Sequence, residues 1–149
     1  GIKWGSNGGG GFSGGEIRSN TIEDNDGGGI SMSDDQDGCD VNGNTINSNT
    51  DFGIRIISDH HRIHGNSITG TKNGGNGGHG IVIESSAEDN CLDANAFKSN
   101  FGQAIQVAGD RNYLVKNTAK GNDGFVKVSG ADDNDGRNNA TETGTNDFP

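Results

Sequence analysis

Six in-out-in apolar triplets recur along this chain, at Ile2-Lys3-Trp4, Ile30-Ser31-Met32, Ile54-Arg55-Ile56, Ile81-Val82-Ile83, Ile105-Gln106-Val107 and Val126-Lys127-Val128. Successive triplets begin 28, 24, 27, 24 and 21 positions apart, which is the repeat length of a solenoid. Five of the six follow a Gly or Ala. A second pattern interlocks with the first: an apolar residue, Asn three later and another apolar residue five later. It reads Ile17/Asn20/Ile22, Val41/Asn44/Ile46, Ile63/Asn66/Ile68, Leu92/Asn95/Phe97 and Leu114/Asn117/Ala119. Two short-strand signals per repeat make each repeat one coil of a β-solenoid.

Composition alone argues the other way. Ile, Leu, Val and Phe total 27 of 149 residues and the net charge is −10, values typical of disorder. Periodicity overrides this, because the few apolar residues return to the same place in every coil. A solenoid needs only a thin inward column, since each coil buries its faces against its neighbours. At roughly 4.8 Å per coil, about six coils give one rod-like domain about 29 Å long. Regular coils are expected over 1–128, followed by a weaker coil or tail over 129–149. The 28 glycines suit tight corners, and the single proline, Pro149, avoids every strand. No apolar run approaches the roughly 20 residues that span a membrane.

Cys39 and Cys91 fall two coils apart, about 9.6 Å, beyond the roughly 7 Å reach of a disulfide. They read as small apolar groups. The Asn column has a physical cause: each amide carries two donors and an acceptor, so asparagines stacked in register bond to one another and to turn backbone. A second column is expected at Asn25, Asn49, Thr71, Asn100 and Asn122.

The combined pattern, G-I-x-I followed by x-I-x-x-N-x-I-x-x-N, resembles the right-handed parallel β-helix repeats of the pectate-lyase-like superfamily, including its NosD-like and carbohydrate-binding members. The resemblance covers residues 1 to about 128. It implies an all-β right-handed parallel β-helix, an exported protein at the cell surface or outside it, and a polysaccharide or cell-surface glycan as partner.

On the strand face that carries the triplets, the outward row is Lys3, Ser31, Arg55, Val82, Gln106 and Lys127. The next row is Gly5, Ser33, Ile57, Glu84, Ala108 and Ser129. Lys3, Arg55, Glu84, Gln106 and Lys127 are therefore the candidate glycan contacts. Ser48-Asn49-Thr50-Asp51 resembles the Asn-Thr-Asp element of polygalacturonases, and Gly78-His79-Gly80 resembles their Gly-His-Gly element. Those enzymes place an Asp pair between the two elements for acid-base attack on a glycosidic bond. Here Asp34-Asp35 precedes both elements, and no Arg-Ile-Lys element follows. Hydrolase or lyase chemistry would rest on Asp51, His79 and Arg55.

Asp34-Asp35-Gln36-Asp37-Gly38 and Asp132-Asp133-Asn134-Asp135-Gly136 are near copies. Short acidic turns with Gly can hold calcium, with Asp34, Asp35 and Asp37 as ligands in the first. Neither continues into an EF-hand: with Gly38 as the sixth loop position, the twelfth is Asn44 rather than Glu. The Asp59-His60-His61-His64 cluster suggests zinc. In an extended strand, however, His60 and His64 lie about 13 Å apart, and only a bend would join them. With 11 basic against 21 acidic residues, nucleic acid is not an expected partner.

The carboxylates are scattered over turns. That favours a binding or scaffolding module at a carbohydrate-rich surface over a polysaccharide hydrolase or lyase, with no cofactor beyond calcium. A self-assembling filament is the third reading. The chain opens on a strand triplet with no helix pattern to cover it, so another copy stacked end to end, or preceding residues, is expected there.

Overall fold

The computed structural model describes residues 1–4, 12–33, 36–74, 77–128, 134–137 and 139–141. Among these, all regular structure is β. Three six-stranded parallel sheets form the walls of a β-solenoid. The first wall stacks Ile2–Trp4, Ile30–Met32, Phe52–Ile56, His79–Ile83, Gln103–Val107 and Gly124–Val128. The second stacks Glu16–Arg18, Asp40–Asn42, Arg62–His64, Cys91–Asp93, Tyr113–Val115 and Asp135–Arg137. The third stacks Thr21–Glu23, Thr45–Asn47, Ser67–Thr69, Ala96–Lys98, Thr118–Lys120 and Ala140–Thr141. Phe12–Ser13 and Gln36–Asp37 add a small parallel pair beside the first two coils.

Register follows the repeat read from the sequence. Ile30, Ile54, Ile81, Ile105 and Val126 align across the first wall. Ile17, Val41, Ile63, Leu92 and Leu114 align across the second, and Ile22, Ile46, Ile68, Phe97 and Ala119 across the third. All of these point inward and are buried in one cluster. A chain so poor in apolar residues folds because those in these columns stack coil on coil into one buried cluster.

The small residue before a first-wall triplet has a packing cause in the central coils. A Cβ on Gly53 would meet Ile68 Cγ2 and the Gly80 carbonyl oxygen at 2.5 Å. One on Gly80 would meet Phe97 Cδ1 at 2.6 Å, and one on Gly29 would meet Ile46 Cγ2 at 2.8 Å. In the next coil the facing third-wall residue shrinks to Ala119, and the position becomes a buried Ala104. The two columns complement each other in size, as close packing requires.

All three corners are built alike. One residue enters the left-handed region, and the next places its amide in a hydrogen-bonded column. Between the second and third walls the left-handed residues are Ser19, Gly43, Gly65, Ala94 and Lys116. Asn20, Asn44, Asn66, Asn95 and Asn117 follow them. Between the third and first walls they are Asp24, Ser48, Gly70, Ser99 and Gly121. Asn25, Asn49, Thr71, Asn100 and Asn122 follow those. In the first column, Asn66 N–H and Nδ2 donate to Asn95 Oδ1 at 3.1 and 3.0 Å, and Asn66 Nδ2 also reaches Val41 O at 2.9 Å. The same bonds recur from Asn44 to Asn117. Non-glycine residues tolerate positive φ here because the adjoining amide column fixes the turn around them.

Candidate metal centre

The third corner, between the first and second walls, follows the same plan with different chemistry. Its left-handed positions are Gly38, His60, Asp89 and Arg111, with φ of 67°, 59°, 55° and 53°. Its ladder positions are Cys39, His61, Asn90 and Asn112, continued by Asn134. Cys39 N–H donates to His61 Nδ1 at 3.1 Å, His61 N–H to Asn90 Oδ1 at 2.9 Å, and Asn90 N–H to Asn112 Oδ1 at 3.0 Å. His61 thus performs in its coil what asparagine performs in the others: it offers a buried acceptor to the amide of the coil before.

That role fixes the state of the ring. Ser58 Oγ donates to Ser33 O at 2.8 Å, so the 2.8 Å contact between Ser58 Oγ and His61 Nε2 requires the proton on Nε2. Nδ1 is the acceptor, and the imidazole is neutral. Burial drives its pKa down to about 4, outweighing the opposing pull of Asp37 and Asp59. Cys39 beside it is buried, and burial followed by Asp37 pushes its thiol pKa up. Cys91 is half-buried on the outer side of the second wall, where burial followed by Asp93 acts in the same direction. Neither cysteine is in a disulfide, and neither sits where thiolate is favoured. The expectation of an apolar, inward role holds for Cys39 and not for Cys91.

One position upstream of the left-handed column, a third column is acidic throughout: Asp37, Asp59, Glu88 and Asp110. Backbone bonds set it in register, from Gly38 N–H to Asp59 O, His60 N–H to Glu88 O and Asp89 N–H to Asp110 O. Like charges one coil apart repel, so the column requires counter-charge. At its far end Arg111 supplies it. The guanidinium bonds Asp89 through Nε at 3.0 Å and Nη2 at 2.9 Å, and contacts Glu88 as well. That bonding holds the Asp89 carboxyl below its usual range.

At the near end stand Asp37, Asp59 and His60. Each offers a ligand atom, and the three atoms lie within 4.8 Å of one another. Glu88 N–H donates to Asp59 Oδ1 at 2.7 Å, and His60 Nε2 is 3.9 Å from Asp89 Oδ2. The ligand side chains are therefore oriented by the coil below, as second-layer groups orient metal ligands. Two carboxylates and an imidazole form an N,O donor set that suits divalent copper or zinc. Calcium prefers oxygen alone.

The other sequence candidates are distributed as follows. Asp34 and Asp35 lie outside the described residues, as does the Asp132-Asp133 turn. Asp37 is in the acidic turn singled out, but its partners come from the next coil. His60, His61 and His64 do not converge: one is at the corner, one in the buried column and one on the second wall. Asp51 and His79 share the corner between the third and first walls, where Gly78 N–H donates to Asp51 O and His79 Nδ1 accepts from Gln103 N–H at 2.9 Å. Arg55 lies farther along its strand and points out from the first wall, and its Nε bonds Glu84 Oε1 at 2.7 Å. Asp51 and Asp123 belong to one backbone column but stand three coils apart, about 14 Å, wider than the carboxylate pairs of glycosidases. Lys3, Arg55, Gln106 and Lys127 do share the expected row by register. Glu84 lies just beyond it.

Neither apolar repeat points to the Asp37–Asp59–His60 group. Its signal lies in the position two before each second-wall apolar residue, which reads Cys39, His61, Asn90 and Asn112. Aligning the coils on that third column stacks Asp37 on Asp59.

No described helix is long and apolar enough to cross a membrane. No curated protein and no solved structure matches the chain significantly. One family model does match, over residues 12–146, and its description is "Periplasmic copper-binding protein (NosD)". That span contains five of the six triplets, all three corner columns and the Asp–Asp–His group, and the chain belongs to the NosD family.

Proposed function

We propose that this chain is a non-catalytic β-solenoid module of the cell envelope that binds divalent copper at Asp37, Asp59 and His60. One observation carries the reading: a carboxylate–carboxylate–imidazole set converges within 4.8 Å at the near end of an acidic column. The family's description supplies the choice of metal and the envelope location. When bound, copper would contribute the positive charge that Arg111 contributes one coil farther on. The separation of Asp51 from Asp123 supports the absence of glycosidase chemistry.

Titration with Cu(II), followed by calorimetry and electron paramagnetic resonance, tests this. His60→Gly suits the left-handed backbone and should weaken binding at this site at least tenfold, as should Asp37→Asn. Unchanged affinity in both variants would overturn the assignment.

The carbohydrate-binding reading of the first wall comes second, favoured by the row that Lys3, Arg55, Gln106 and Lys127 share by register. Arg55 and Glu84 are engaged with each other, so a glycan would have to compete for them. On a glycan array, Arg55→Ala should abolish any signal; an array with no binding at all removes this reading.

A further inference from the structure

The two oxidation states of copper call for different ligands. Divalent copper takes nitrogen and oxygen donors, whereas thiolate and thioether sulfur selects Cu(I). The chain has three sulfur-bearing residues, Cys39, Cys91 and Met32, and the fold withholds each of them from the corner. Met32 points inward from the first wall and is fully buried. Cys39 lies only two residues after Asp37, yet it belongs to the buried core, and its sulfur does not join the ligand atoms of Asp37, Asp59 and His60. Cys91 stands on the second wall in register with Arg62 and is likewise outside the group.

A second imidazole is withheld as well. His61 Nδ1 accepts from Cys39 N–H at 3.1 Å and its Nε2 is bonded to Ser58 Oγ at 2.8 Å, so the ring next to His60 in sequence is already committed. Charge selects in the same direction. Asp37 and Asp59 would put two carboxylates on the ion, and Glu88 and Asp110 continue the column behind them. A divalent ion cancels the two ligand charges. A monovalent one leaves a negative charge uncancelled and is attracted half as strongly at the same distance. The set is also held where it stands, because Asp59 Oδ1 accepts from Glu88 N–H at 2.7 Å and His60 sits at a left-handed corner with φ of 59°.

We propose that the corner discriminates between the oxidation states of copper: it holds Cu(II) and lets Cu(I) go, so that one-electron reduction empties it. The inference rests on the reading of Asp37, Asp59 and His60 as a copper site. In the step itself a one-electron reductant such as ascorbate loses one electron and the bound Cu(II) gains it. The bonds from the two carboxylates and the imidazole to the metal then break, each ligand keeping its electron pair, and Cu(I) leaves. The module is thus loaded under oxidising conditions and unloaded under reducing ones.

The test is anaerobic equilibrium dialysis of the full chain against Cu(II), with and without excess ascorbate. Copper per chain is counted, and the Cu(II) signal is followed by electron paramagnetic resonance. Without ascorbate an ion should bind in a way that depends on His60. Once ascorbate has removed the signal, bound copper should fall by roughly tenfold or more, and removing the reductant in air should restore both. Copper that stays on the chain after the signal has gone overturns the inference and leaves the corner site standing. Retention that is lost only in Cys39→Ala overturns it too, and shows the inward thiol turning out to the ion. Circular dichroism follows the fold throughout; unfolding on reduction would assign the release to loss of structure and overturn the inference. Absence of Cu(II) binding, or binding indifferent to His60→Gly, overturns the corner reading and this inference with it.

Discussion

Asn95→Ala should destabilise the solenoid by about 3 kcal/mol or more, the largest loss expected from one substitution in a corner. Asn95 Oδ1 accepts from Asn66 N–H and Nδ2, while its own Nδ2 donates to Ile63 O at 2.8 Å and Asn117 Oδ1 at 3.0 Å. All of these atoms are buried, and alanine can replace none of the bonds. Asn66 N–H loses its acceptor outright and Ile63 O loses a donor, each worth about 1–3 kcal/mol when left unpaired inside a protein. Asn20→Ala provides the internal comparison. Asn20 occupies the same column but is exposed, so water can take over its bonds and the cost should be well under 1 kcal/mol. Urea denaturation midpoints measure both. Equal losses at Asn20 and Asn95 would mean that burial is not what gives the column its strength.

Acid should weaken the fold through His61, and in a defined window. The folded pKa of about 4 lies below the ordinary imidazole value of 6.5, so the unfolded chain binds the proton more readily. Stability is fully present above pH 6.5 and is lost as pH falls toward 4, by up to about 3 kcal/mol at roughly 1.4 kcal/mol per pKa unit. Protonation at Nδ1 would also remove the acceptor for Cys39 N–H, so the lesion is local to the corner between the first and second walls. Between pH 6.5 and 5, above the range in which ordinary carboxylates titrate, His61→Asn should flatten the slope. Asparagine is the residue that serves this position in the next coils, and it carries no titrating group. Denaturation free energies measured across that interval decide the matter; a slope that persists in His61→Asn assigns the acid sensitivity elsewhere.

The walls were legible because their signal is local. Ile54-Arg55-Ile56 and its counterparts alternate within three residues, and the strand, its inward face and its register follow from that alternation and the repeat. Two of the corner columns were legible because asparagine recurs in them. The third was not, because Cys39 and His61 stand where the pattern wants asparagine, and neither residue announces an amide-column role by type. The Asp37, Asp59 and His60 group failed to show for a related reason. Asp34, Asp35 and Asp37 drew notice by local acid density, but density along the chain is not convergence in space. What brings Asp37 to Asp59 and His60 is coil length, and coil length varies: ladder bonds between the second and third walls join residues 24, 22, 29 and 22 apart. Only an alignment of all three corners fixes which residues of neighbouring coils become neighbours. Likewise the pairing of Arg55 with Glu84 depends on side-chain reach across one strand and one row, which periodicity alone does not specify.

The size match between Gly80 and Phe97, and again between Ala104 and Ala119, also bears on how such a chain can change over generations. A coil carries its third-wall residue together with the partner sized to fit it, and its own rung for every corner. A duplicated coil would arrive with its complement already included, lengthening the rod by about 4.8 Å without disturbing the coils on either side. Reactive side chains on the outer rows travel with the coil that bears them. Copying coils two and three would therefore copy the Asp37, Asp59 and His60 set as one heritable block, with no new chemistry required.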